Sequence, residues 1–135
     1  MREITLEASI ENIEAATEFV NSLLEEDGCP GKAMMQIDVA VDELFGNIAH
    51  YAYGTGTGPV TVRVETLTEP PGARITFIDQ GVPYDPLAKE DPDVTLSAKE
   101  RKIGGLGIFL VKKSMDDVAY EYKDGQNILR IRKNY

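Results

Sequence analysis

The sequence predicts an α+β domain, a two-layer sandwich of one sheet with helices packed on one of its faces. Three observations lead there. Hydrophobic spacing switches between a period of two and a period of about 3.6 residues, in the order β-α-α-β-β-loop-α-β-β. The 135 residues are the size of one ordinary domain. A composition of 42% hydrophobic and 27% charged residues lies in the globular range.

Ile4-Thr5-Leu6 alternates and reads as an edge strand. Helical spacing follows in Ile10, Ile13, Ala16, Val20 and Leu23-Leu24, with Ser9 as the expected N-cap. Asp27-Gly28-Cys29-Pro30-Gly31 breaks the pattern, and a second helix is expected from about Lys32 to Tyr51, turning Ile37, Val41, Leu44, Phe45 and Ile48 inward. After the turn Gly54-Thr55-Gly56-Thr57-Gly58-Pro59, two alternating runs, Val60 to Val64 and Arg74 to Ile78, form a hairpin around Glu69-Pro70-Pro71-Gly72. Gln80 to Lys102 is polar, rich in proline, aspartate and lysine, and without periodicity. A loop of that length in a compact domain is usually functional. Gly105 to Met115 reads as a short apolar helix through Leu106, Ile108, Phe109, Leu110 and Val111. Val118, Tyr120 and Tyr122 mark one more strand, and Asp124-Gly125 turns into a last one, Ile128 to Arg132. Nothing splits the chain, so residues 1–135 are taken as one domain.

The formal charge, 14 minus 23 or −9, opposes binding to nucleic acid or to an anionic membrane. Cys29 is the only cysteine, which excludes an internal disulfide and argues against a four-ligand zinc site. The start carries no apolar signal region, and no run is long enough to span a bilayer, so a cytoplasmic protein is expected.

Three segments carry chemistry. Glu43 and Asn47 stand four apart on the second helix and so project from one side of it. A carboxylate and an amide oxygen placed there can hold Mg²⁺ and orient an attacking hydroxyl or water. Alone, such a pair is also an ordinary solvated helix face. Gly46 between them is unfavourable mid-helix by about 1 kcal/mol relative to alanine, a sign of close packing. Asp79, in Ile78-Asp79-Gln80-Gly81-Val82-Pro83, ends a strand, where its carboxylate can accept from an exocyclic amino group, and Gly81 leaves a flat base room to approach. A plain turn has the same composition. Gly104-Gly105-Leu106-Gly107 opens the apolar helix and leaves backbone N–H groups free at its positive end, which suits a phosphate chain. No Gly-Lys-Ser/Thr follows it and no strand directly precedes it, so it is neither a Walker A loop nor a dinucleotide fingerprint. His50 reads as a helix-end residue, and Tyr51 and Tyr53 as packing residues.

In this order and spacing the three segments resemble the GHKL superfamily of histidine-kinase-like ATPases. The likeness covers nearly the whole chain, and within the superfamily it is nearest to the small bacterial anti-sigma factor serine/threonine kinases. Glu43 and Asn47 match the first box, Asp79 and Gly81 the adenine box, and Gly105 and Gly107 the phosphate box. The resemblance implies a Bergerat-type sandwich with a mixed, mostly antiparallel sheet. It implies ATP and Mg²⁺ as cofactors, with Glu43 as general base, Asn47 as Mg²⁺ ligand and Asp79 as adenine anchor. Gly81, Gly104, Gly105, Leu106, Gly107 and Asn127 would line the nucleotide. A lid over about residues 85–103 would lend the charges of Lys99, Arg101 and Lys102 to the phosphates. Ile103 stands where relatives often carry an arginine, and Asn127 where many carry a threonine, which leaves that pocket polar.

The implied function is a kinase that phosphorylates a small anti-sigma antagonist protein and binds a sigma factor, as a homodimer and without direct contact to nucleic acid or membrane. Ile103 favours an alternative, an ATP-binding regulatory module that grips a partner with little or no turnover.

Overall fold

The computed structural model describes residues 1–88 and 105–135. Strand β1 (Arg2–Glu7) leads through a 3₁₀ turn, Ile10–Asn12, into helix α1 (Ile13–Glu26) and then α2 (Gly31–Tyr51). Strands β2 (Pro59–Thr68) and β3 (Pro71–Asp79) form a hairpin. Helix α3 (Gly105–Ser114) precedes a second hairpin, β4 (Asp117–Lys123) and β5 (Gln126–Asn134). The sheet order is β1-β2-β3-β5-β4. Every pairing is antiparallel, so the sheet expected to be mixed and mostly antiparallel is antiparallel throughout the described residues.

Each strand shows the period of two that its sequence carries. Val60, Val62 and Val64 on β2, Ala73, Ile75 and Phe77 on β3, and Leu129 and Ile131 on β5 are buried on the helix side. Against them α1 lays Ala16, Val20, Leu23 and Leu24, α2 lays Ile37, Val41, Leu44 and Phe45, and α3 lays Ile108 and Val111. Burial of each large side chain stabilises the sheet–helix contact by about 1.5–3 kcal/mol. The outer face of the sheet is polar, and three of its arginines stand beside acids: Arg63–Glu3 at 3.4 Å, Arg74–Glu65 at 3.7 Å and Arg130–Glu121 at 3.1 Å. Exposed pairs of this kind add little stability, but they break up the positive charge that a polyanion would need.

The element boundaries differ from the sequence reading at one place of note. Ser9 caps no α-helix: it precedes the 3₁₀ turn and makes no capping bond, and α1 starts only at Ile13. The reason is local, since Asn12 Nδ2 donates back to the Glu7 carbonyl at 2.9 Å and holds the turn against the end of β1. Ile10, counted as an inward position, is therefore 54% exposed. The hairpin turns need less comment. Asp124 and Gly125 both have positive φ, 54° and 77°, which suits the primed two-residue turn closing β4 onto β5.

β3 is paired on both sides, and Asp79 is its last residue, in phase with Ile75 and Phe77. It therefore points into the helix layer and not to the outer face. Asn127 lies directly opposite it on β5, in phase with Leu129 and Ile131. This register brings two residues 48 positions apart side by side at the end of the sheet, beneath the last turns of α2.

Candidate functional site

A cleft opens between the last turns of α2 and the ends of β3 and β5. Its walls are largely apolar, from Leu44, Ile48, Phe77, Val82 and Leu129, and Asn47, Asp79 and Asn127 place polar groups among them. The rings of Tyr51 and Tyr84, with centroids 6.0 Å apart, stand at the same cleft. An apolar lining with a buried acceptor suits a flat heteroaromatic group with an amino edge.

The acceptor is Asp79, only 5% exposed. Its Oδ1 accepts from the Gly81 N–H at 2.9 Å and from Asn127 Nδ2 at 2.9 Å. No hydrogen bond among the described residues uses Oδ2, which leaves it to receive a donor from a ligand. Asn127 also donates to the Val82 carbonyl at 2.9 Å, and its Oδ1 accepts from the Tyr84 N–H at 3.1 Å and from the Tyr120 hydroxyl at 2.5 Å. Burial, reinforced by nearby carboxylates, raises the Tyr120 hydroxyl above the ordinary phenol range, so it remains a donor at neutral pH.

Gly81 has a packing reason that the sequence did not reveal. A Cβ there would overlap the carbonyl of Ala52, the residue that caps α2, and the next N–H, that of Val82, donates to that same carbonyl at 2.9 Å. The missing side chain thus lets the strand end dock onto the helix end. Tyr53 braces the same junction. Its hydroxyl donates to the Pro59 carbonyl and accepts from the Gln80 N–H at 2.8 Å, so this packing residue ties the loop after α2 to the loop after β3. Tyr51, expected as a packing residue as well, is 47% exposed at the cleft. His50 sits exposed in the last turn of α2, as the sequence suggested.

Glu43 lies one turn before Asn47 on the same side of α2. Its carboxylate rests against Gly107 on the first turn of α3, so closely that a Cβ on Gly107 would overlap it. Among the described residues it has no hydrogen-bond or ion-pair partner. Burial, with Asp42 adding a smaller like-charge effect, raises its pKa above the ordinary glutamate value, the direction that makes a carboxylate a stronger base.

The structure thus brings Asn47, Asp79 and Asn127 to one cleft, with Gly81 behind it, and sets Glu43 and Gly107 together at the neighbouring start of α3. Gly105 begins α3. Lys99, Arg101, Lys102 and Gly104 lie outside the described residues, as does the side chain of Leu106. Of the lid expected over 85–103, residues 85–88 are described. They form a 3₁₀ turn, Pro86–Ala88, in which Asp85 accepts from the Leu87 N–H at 2.9 Å.

Mg²⁺ prefers hard oxygen ligands and keeps several waters and substrate phosphates in its shell. The described residues hold no cluster of three or more acidic, histidine or cysteine ligands. The Asn47 amide, which makes no hydrogen bond among the described residues, fits a site of this sparse kind.

The profile of the family described as "Histidine kinase-like ATPase domain" matches residues 6–133. The chain belongs to that family. A histidine kinase-like ATPase domain is also what the antiparallel sheet with one helix layer supports. Among curated proteins, the chain is 27% identical over 131 residues to the serine-protein kinase RsbW of Listeria monocytogenes, covering 93% of this chain and 82% of that one. It is 25% identical to the RsbW of Listeria innocua over the same shares. To the serine/threonine-protein kinase BtrW of Bordetella bronchiseptica it is 24% identical over 129 residues, covering 94% and 90%. No helix among the described residues is long and apolar enough to cross a membrane.

Proposed function

We propose that the protein binds Mg²⁺-ATP in this cleft and transfers the γ-phosphoryl group to a serine or threonine of a small anti-sigma antagonist protein. In this reading it also sequesters a sigma factor once the antagonist is phosphorylated, and it acts as a homodimer. The observation that carries it is the convergence of Asn47, Asp79 and Asn127 on one cleft, beside Glu43 and the start of α3. The kinase names of the similar proteins support the choice of reaction.

Each residue has a task in that reaction. Asp79 Oδ2 accepts a hydrogen bond from the adenine amino group, and the apolar walls hold the ring. The N-terminus of α3, with Gly107 allowing close approach, faces the phosphates with its free N–H groups. Asn47 holds Mg²⁺, which when bound neutralises phosphate charge. The seryl oxygen attacks the γ-phosphorus while the bond to the β–γ bridging oxygen breaks, ADP leaves, and the hydroxyl proton passes to the Glu43 carboxylate.

A second reading, ATP-gated gripping of a partner without turnover, draws on the contact of Glu43 with Gly107, since a base pressed on α3 must be uncovered before it can take a proton. Incubation with [γ-³²P]ATP and a candidate antagonist separates the two. Label that is abolished in Glu43→Ala, with partner binding spared, supports the kinase. Absence of label with ATP binding intact removes it and leaves the gripping module.

A further inference from the structure

Asn127 has two amide hydrogens and two acceptor lone pairs, and the protein uses all four. Nδ2 donates to Asp79 Oδ1 and to the Val82 carbonyl, each at 2.9 Å. Oδ1 accepts from the Tyr84 N–H and the Tyr120 hydroxyl. Nothing remains with which to bond a nucleotide. Tyr120 reaches this cluster from β4: it pairs with Leu129 and so lies diagonal to Asn127 on the same face. Its oxygen also accepts from the Tyr84 N–H at 3.3 Å. One end of the cluster therefore holds the carboxylate at the cleft floor. The other holds the backbone just before residue 85, where the long polar segment begins.

We infer that Tyr120 and Asn127 form a latch of positioning residues: they fix the rotation of the Asp79 carboxylate and hold the Tyr84 backbone N–H, and they bond no part of the ligand themselves. Without the latch the carboxylate keeps only the Gly81 N–H on Oδ1, a single bond about which it can turn, and Oδ2 then no longer meets the amino edge of a base held by the apolar walls. The latch acts on recognition of that one edge and leaves the grip on ring and phosphates alone. Its nucleotide readout rests on the proposed ATP site, whereas its effect on the Tyr84 amide does not.

The test compares ATP with purine riboside triphosphate, which carries hydrogen in place of the 6-amino group, by calorimetric titration in the presence of Mg²⁺. Tyr120→Phe removes only the hydroxyl. It is expected to weaken ATP about 5-fold, the scale of one hydrogen bond, and to leave the analogue unchanged. In an Asn127→Ala background the same substitution should add nothing, because Tyr120 acts through Asn127. Equal weakening of both nucleotides, no weakening, or independent effects of the two substitutions overturns the latch. If the wild-type protein does not distinguish ATP from the analogue, the ATP reading fails first. The latch is then judged by hydrogen exchange at the Tyr84 amide, which should speed up about 5-fold in Tyr120→Phe and which, if unchanged, refutes it.

Discussion

Replacing Gly81 by alanine puts a methyl group where the Ala52 carbonyl sits. Neither side can give way cheaply. The Ala52 carbonyl is held by the Val82 N–H and belongs to the cap of α2, while the Gly81 N–H is held by Asp79. Overpacking against fixed backbone costs about 1–3 kcal/mol, and loosening one of the two hydrogen bonds adds about 1 kcal/mol, for a total of about 3 kcal/mol. At about 2.1 cal/mol/K per residue of unfolding entropy, 135 residues convert this to a fall in Tm of about 10 °C. Gly107→Ala is the control. Its methyl group meets only the far end of the Glu43 side chain, which can swing aside, so Tm should move by less than about 3 °C while the displaced base lowers phosphoryl transfer. Differential scanning calorimetry of both variants decides the matter. A Gly81→Ala protein melting within about 2 °C of wild type would refute the argument that helix end and strand end are locked through this glycine.

Four further outcomes follow from the site. Because burial raises the Glu43 pKa, the folded protein binds more protons than the unfolded chain between the ordinary glutamate value and the raised one. The contribution of Glu43 to stability therefore falls as pH rises through that window. The difference in stability between wild type and Glu43→Gln, read by urea titrations across the acid range, should fall with rising pH there, and a difference that rises contradicts the burial argument. The same ionisation should set the acid limb of the rate profile, with phosphoryl transfer declining as pH drops through the raised value. Asp79→Asn keeps the shape but turns an acceptor-only group into one that also carries donors. ATP affinity should drop about 10- to 100-fold, read by titration calorimetry. Tyr53→Phe removes the bridge between the Pro59 carbonyl and the Gln80 N–H, and urea unfolding should show a loss of about 1–2 kcal/mol.

The layers were legible in the sequence because period and position agree. Val60, Val62 and Val64 alternate and are buried in alternation, and Ile37, Val41, Leu44 and Phe45 keep helical spacing and line one stripe. The site was legible only as parts. Glu43 and Asn47 could be put on one side of a helix from their spacing, and Asp79 at a strand end. That Asp79 meets Asn127 depends on the β3–β5 register, which no local pattern states. Tyr120 went unread because a tyrosine in an alternating strand is ordinary, and its value lies in a diagonal neighbour on β5. Gly81 was read for the wall it leaves open to a base, and its contact with Ala52 was invisible because Ala52 sits just past a helix end with no distinguishing chemistry. Ser9 misled for a related reason: Asn12, three residues on, competes for the same turn and bonds back to Glu7.

Helix α2 serves two masters along its length, with Ile37, Val41 and Leu44 clamped to the sheet and Asn47 aimed at the cleft from the adjoining side. Each residue of a helix advances the angle by about 100°. Inserting or deleting a single residue ahead of Glu43 would therefore swing the two side chains away together, even with every functional residue still present in the sequence. The bearing of the amide on its cleft is set by how three aliphatic side chains seat on the strands, so substitutions in the interior can alter catalysis without touching a ligand.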